Sequence, residues 1–398
     1  MFDFFTKDRP ASVMMLVLGA IYSVGCSDDS SSDESSAATR AAMVETYAEI
    51  VLASYEDSLT EATAMDAALL AMTETPTAAT QQAAQTAWLA SREPYLQTET
   101  YRFYDGPIDN AKDGPEGLIN AWPLDEAYID YVVGDLTAGI VNDSMVTIDA
   151  ATLESLNEEG GEENIATGYH AIEFLLWGQD LSETGPGARP FSDYVSGEGS
   201  TAENQDRRAL YLMTVSDMLL DHLQFLVDAW DPADASAYRA EFESAESTEA
   251  LRRILTGMIV LSGFETGGER LQTALDTGDQ EDEHSCFSDN THRDMIQDIQ
   301  GVLNVWQGSY ARLDGTTISG TGVADVVREV DSDLAQELDD QIQESLDLAN
   351  ALVPPFDQEL VTKDGQARIQ ALIAALRAQE NLLEEVFQMF ELSIPVVE

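Results

Sequence analysis

The chain has 398 residues, 44% of them hydrophobic and 23% charged, a balance that supports a buried core and excludes a disordered, collagen-like or multi-span membrane protein. Its 74 Asp and Glu against 19 Lys and Arg leave a formal charge of −55, a field that repels phosphate backbones and so excludes nucleic acid as a partner. The same field concentrates cations at the surface and suits salty surroundings, where counter-ions screen the self-repulsion.

Residues 1–10 carry Lys7 and Arg9, and the apolar run at 11–25 is too short for an ordinary spanning helix. Residues 1–25 therefore read as an export signal. It stops at Cys26 with Val24 and Gly25 before it, resembling a lipoprotein signal cut ahead of a cysteine that then takes lipid, although Ser23 stands where Leu is usual. A lipidated Cys26 places the mature protein in the cell envelope, touching a membrane through that anchor alone; a plain secretory signal with a soluble periplasmic product is the alternative. Residues 26–40 are Ser-rich and acidic, a solvated tether ahead of a body at 41–398. Cys286 is the one other cysteine, so no disulfide framework exists, and its acidic neighbours favour an inert, buried thiol.

From Ala41 onward apolar residues recur at steps of three and four, as in Met43, Val44, Tyr47, Ile50, Val51 and Leu59. The pattern predicts further helices near 77–98, 120–135, 163–178, 203–231, 235–245, 248–276, 291–311, 323–351 and 364–391, broken by Gly and Pro pairs such as Gly106–Pro107, Gly160–Gly161 and Pro354–Pro355. Each stripe must be covered by others, which predicts an all-α fold of two packed helical bundles.

Within the helix near 163–178, His170 and Glu173 stand at i and i+3 on one face. An imidazole nitrogen and a carboxylate oxygen so placed can reach one ion, and a bundle can project further carboxylates inward. The competing reading is a His and a Glu hydrogen-bonded within a core. Neighbourhood adds Asp125, beside Trp122 and Pro123, and Glu99, among the aromatics of 88–104, as further metal ligands. Ion pairs with Arg92, Arg102 or Arg270 compete for any such carboxylate. Glu265 and Glu269 share a face at i and i+4, and His222 reads as a packed helix residue. With four His in all, an oxygen-rich site favours iron over zinc, zinc remaining the alternative. No H-E-x-x-H, G-x-S-x-G, phosphate-binding Gly loop or haem-attachment motif is present.

The segment GYHAIEFLLWG at 168–178 resembles the G-x-H-x-x-E signature of the imelysin family, and EDEHSCFSDNTHRD at 281–294 with AWPLDEAYID at 121–130 resembles its iron-regulated protein A branch. The resemblance implies two bundles related to four-helix bundles, export or outer-membrane anchoring, and a metal site around His170 and Glu173. It also implies a role in iron acquisition, with iron or an iron chelate as the ligand and a membrane uptake or redox protein as partner. Metallopeptidase activity is the alternative, but Ala171 stands where the usual zinc-peptidase motif has its Glu. A lipoprotein that binds a non-metal ligand or acts as a scaffold is the third reading.

Overall fold

Helix starts follow local capping chemistry. Thr77 and Thr80 form a reciprocal capping box at α2 (Ala78–Leu96), after a first helix α1 (Asp29–Glu74). The computed structural model describes residues 29–182 and 184–392, so the export signal and Cys26 lie outside the described residues. α1 already occupies Asp29 to Arg40, where a solvated tether was expected, and it buries Met43, Val44, Tyr47, Ile50 and Val51 as the periodicity predicted.

The predicted helix at 120–135 is not continuous. Short turns replace it, α3 (Glu116–Ile119) and α4 (Glu126–Ile129), followed by α5 (Gly139–Asn142) and α6 (Ala150–Leu156). Pro123 withholds a backbone donor, Asp125 caps α4, and Gly134 takes φ +98°, so the ladder cannot propagate. Further on come α7 (Gly168–Trp177), α8 (Gln205–Ala229), α9 (Tyr238–Ser244) and α10 (Ser247–Ile259). α10 widens into a π-helix over Val260–Gln272 before closing as α11 (Thr273–Thr277).

The rest comprises α12 (Thr291–Gln307), a small hairpin of β1 (Ser309–Ala311) and β2 (Thr317–Ser319), α13 (Val323–Val330), α14 (Ser332–Ala349), α15 (Asp357–Val361) and α16 (Lys363–Met389). The single helix predicted at 323–351 is divided at Asp331, whose carboxylate accepts from the amides of Asp333 and Leu334 and starts α14 anew.

The fold is all-α, built as two packed helical bundles. α1, α2, α7 and α8 form one, and α10 with its π segment, α12, α14 and α16 form the other. A turn at Glu99–Tyr101 lies between them, where a Cβ at Gly257 or Gly301 would run into the Thr100 or Gln97 carbonyl. Glycine is what lets α10 and α12 close on this backbone. Among the described residues no helix is long and apolar enough to cross a membrane.

Candidate metal centre

Gly168 opens α7 at φ +83°, and a Cβ there would run into the Ile119 carbonyl. From Gly168 to Trp177 every residue of α7 is buried, so His170 and Glu173 face protein on all sides. His170 Nδ1 lies 2.9 Å from Glu173 Oε2. The other oxygen, Glu173 Oε1, accepts from the Ser288 amide at 2.9 Å and from its hydroxyl at 2.6 Å. Both carboxylate oxygens are thereby engaged. His170 Nε2 is left buried with no hydrogen-bond partner.

A second imidazole arrives from the other bundle, on the loop ahead of α12. His284 packs edge-on against His170, with ring centroids 4.8 Å apart. Its Nδ1 lies 2.7 Å from Asp294 Oδ2, which also accepts from the Ser285 hydroxyl at 2.5 Å. Each ring is thus held at Nδ1 by a carboxylate, the arrangement that fixes tautomer and orientation behind a metal-binding nitrogen. Two imidazoles sharing one ion through nitrogens at about 2.1 Å bring their centroids to about 5 Å, a spacing the observed contact allows.

Burial pushes His170 well below its ordinary pKa, aided by His284 and Arg92, and burial with Arg270 and Arg92 does the same to His284. Both rings are therefore neutral, the form that ligates metal. Burial raises Glu173 to about 8 against the pull of the Ser288 hydroxyl. Arg92, fully buried with its guanidinium 4.9 Å from the Tyr169 ring centroid, lies 3.6 Å from Asp294 Oδ2 and donates to Asn120 Oδ1.

The structure does not bring Asp125 to this pair, whereas Glu99 acts on His284 from within an arginine cluster and leaves its Oε1 buried without a hydrogen-bond partner. Asp125 is exposed and accepts from the Ala127 amide as the N-cap of α4, which corrects its reading as a ligand. Glu99 is fully buried, but its Oε2 accepts from Arg102 at 2.6 Å and from Arg270 at 2.5 Å. Burial alone would raise its pKa; the two guanidiniums outweigh that and hold it at about 2. The competing ion-pair reading describes its Oε2. Glu265 pairs with Arg270 at i+5, at 3.1 Å, while Glu269 is exposed, because the wider π-helix bonds i to i+5 and brings residues five apart together. His222 is half-buried on α8 rather than packed inside, and Cys286 is free and buried as expected.

The sequence profile of the imelysin family matches residues 51–383. The chain belongs to the imelysin family. It is 26% identical over 344 residues to iron-regulated protein A of Synechococcus elongatus, covering 84% of this chain and 82% of that protein. In fold it is similar to a crystal structure described as an iron-regulated protein A precursor from Parabacteroides distasonis, with TM-score 0.70 and 21% identity over 89% of this chain and 95% of the other. It is also similar to an imelysin-like protein from Psychrobacter arcticum, with TM-score 0.62 and 12% identity over 94% of this chain and all of that one.

In this imelysin-family chain, sequence spacing finds the His170–Glu173 pair and misses Ser288, which holds Glu173, and Asp294, which holds His284. The signal for them lies in EDEHSCFSDNTHRD, whose density of polar residues in a buried loop marks a site. The glycine of G-x-H-x-x-E has its own physical role. Gly168→Ala forces a side chain into a left-handed conformation and into α3, and is expected to cost about 1–3 kcal/mol; urea unfolding that matches wild type would dismiss this account.

Proposed function

We propose that this protein is an exported iron-binding component of an iron-acquisition system, taking its ion between His170 and His284 at the seam of the two bundles. The observation that carries the reading is the orphaned Nε2 of His170, buried beside a second imidazole, each ring oriented by a carboxylate. Neutral imidazoles suit Fe²⁺, and Zn²⁺ as the competitor. The name of the similar Synechococcus protein, iron-regulated protein A, ties that relative to iron, and a formal charge of −55 draws cations toward this protein. Glu173 acts here as the group that orients His170. With both its oxygens engaged and Ala171 beside His170, the G-x-H-x-x-E segment itself offers no free base to a metal-bound water, which favours binding over peptide hydrolysis.

Anaerobic Fe²⁺ titration of the purified chain, with Co²⁺ absorption as a second readout, is expected to show a site whose affinity falls at least a hundredfold in His170→Ala/His284→Ala. Unchanged affinity in that variant would refute the site. The envelope location rests on Cys26, and Cys26→Ser is expected to move the protein from the membrane to the soluble fraction; retention on the membrane would count against the anchor.

A further inference from the structure

Beside the imidazole pair, and separate from it, three carboxylates from distant segments meet. Asp180 follows α7, Asp289 lies on the loop ahead of α12, and Asp357 is the first residue of α15; ligand oxygens from the three all lie within 4.8 Å of one another. They are 2%, 6% and 3% exposed respectively. A fourth carboxyl, Glu283, is fully buried and aimed at the group from behind Asp357, whose carboxyl it meets as Asp289 meets that of Asp180. Both oxygens of Glu283, Asp289 and Asp357, and Oδ2 of Asp180, are buried without a hydrogen-bond partner. Asp180 Oδ1 accepts from the Ser182 amide at 2.9 Å, and the Thr291 hydroxyl stands near Glu283. The charges acting most strongly on these carboxyls are one another.

Buried carboxylates without a counter-charge must take up protons or hold a cation. Protons satisfy them poorly here. One shared proton in each of the two carboxyl pairs would still leave several oxygens with no donor, whereas a cation held by the three aspartates engages their oxygens and leaves one proton to bridge Glu283 and Asp357.

We propose that Asp180, Asp289 and Asp357 form a second metal site, backed by Glu283 behind Asp357, binding one hard divalent cation of the Ca²⁺ type. The donors are all oxygen and anionic, with no nitrogen or sulfur among the three, which selects a hard ion. Three carboxylates supplied by loops and a helix start suit Ca²⁺, which tolerates irregular shells; Mg²⁺ keeps most of its waters and takes one or two carboxylates. A surface cleft of about 400 Å³, lined by Trp177, Gln179, Ser182 and Arg189, reaches Asp180 and gives the ion a way in. The site joins the end of α7 in one bundle to the α15 start before α16 in the other. Glu283 immediately precedes His284 and Asp289 follows Ser288, so the ion also fixes the loop that presents the second imidazole and the donor to Glu173.

Trp122 supplies a probe, since its Nε1 donates to the Glu283 carbonyl at 2.9 Å and an indole therefore stands beside the site. Terbium emission excited through indole is expected to saturate at one Tb³⁺ per chain and to be displaced by Ca²⁺ at concentrations at least tenfold below those of Mg²⁺. Asp289→Asn/Asp357→Asn is expected to weaken Tb³⁺ binding at least tenfold, and at constant ionic strength Ca²⁺ is expected to raise the melting temperature of the wild type and not of this variant. His170→Ala/His284→Ala is expected to keep the terbium signal, so that failure of the iron reading and failure of this one are read separately. Absence of saturable emission with calcium-independent melting in the wild type would mean that protons occupy the cluster. Equal Tb³⁺ affinity in wild type and the Asp289/Asp357 variant, or loss of the signal in the imidazole variant, would likewise overturn the proposal. Should the double variant fail to fold, Asp180→Asn at the cleft edge carries the same comparison.

Discussion

Arg270→Met is expected to destabilise the protein by about 3–5 kcal/mol, the cost of leaving buried charge unpaired. Arg270 is 2% exposed and sits between bundle elements, donating to Asp298 Oδ2 at 2.9 Å, to Glu99 Oε2 at 2.5 Å and to Glu265 Oε1 at 3.1 Å. Asp298 and Glu99 are themselves fully or nearly fully buried. Methionine fills much of the volume, so lost packing is a minor part of the change, and the damage comes from the stranded carboxylates. Adding Glu99→Gln to Arg270→Met is therefore expected to recover part of the loss, a non-additivity that neighbours in one network show. The pH dependence follows from the same pair. Arg102 and Arg270 hold folded Glu99 at about 2, below its unfolded value, so its contribution is fully present above about pH 4.5 and is lost as pH falls toward 2. Urea unfolding at pH 7 measures the first effect, and its repetition from pH 5 to pH 3 in wild type and Glu99→Gln measures the second. An Arg270→Met chain within about 1 kcal/mol of wild type would show that this network carries little of the fold.

The helices were legible because burial imposes a 3.6-residue period wherever one face is covered, as on α1 and α16. The same logic failed at 120–135, where apolar residues are present but Pro123, capping Asp125 and Gly134 break the ladder. The spacing of His170 and Glu173 was legible as a shared face; its meaning was not. Whether two such groups hold an ion together or hold each other depends on what lies opposite, and here the Ser288 hydroxyl and amide from 115 residues away claim one oxygen of Glu173. Asp125 and Glu99 were proposed from their aromatic surroundings, which do not distinguish an exposed cap or an arginine-clamped carboxylate from a ligand. The α-helical spacing of Glu265 and Glu269 misled because the chain there is a π-helix, which changes the neighbour from i+4 to i+5. Asp180, Asp289 and Asp357 share no local pattern at all. They are brought together by the packing of one bundle on the other, which no spacing rule encodes.

The same geometry separates two roles for Glu173. His170→Ala removes the orphaned nitrogen and is expected to abolish binding at this site, whereas Glu173→Gln is expected to weaken it about 10–100-fold, the usual effect of disturbing a group behind a ligand. The reason is the direction of the hydrogen bonds. The Ser288 amide can only donate, so in Glu173→Gln the carbonyl oxygen of the new side chain must face it, and the side-chain NH₂ is then turned toward His170 Nδ1. A donor at that position makes Nδ1 the acceptor and moves the ring proton to Nε2, the nitrogen that would otherwise meet the ion. Metal binding must then first reverse the tautomer. Burial holds Glu173 at about 8, so above that pH, where it is a carboxylate, nitrogen-15 shifts of His170 in the metal-free chain are expected to show the proton on Nδ1 in wild type and on Nε2 in Glu173→Gln, alongside the graded loss of Fe²⁺ or Co²⁺ affinity. A Glu173→Gln chain as inactive in binding as His170→Ala, with an unchanged tautomer, would make the carboxylate itself a ligand, while full affinity would mean that the Nδ1 contact does nothing for the metal.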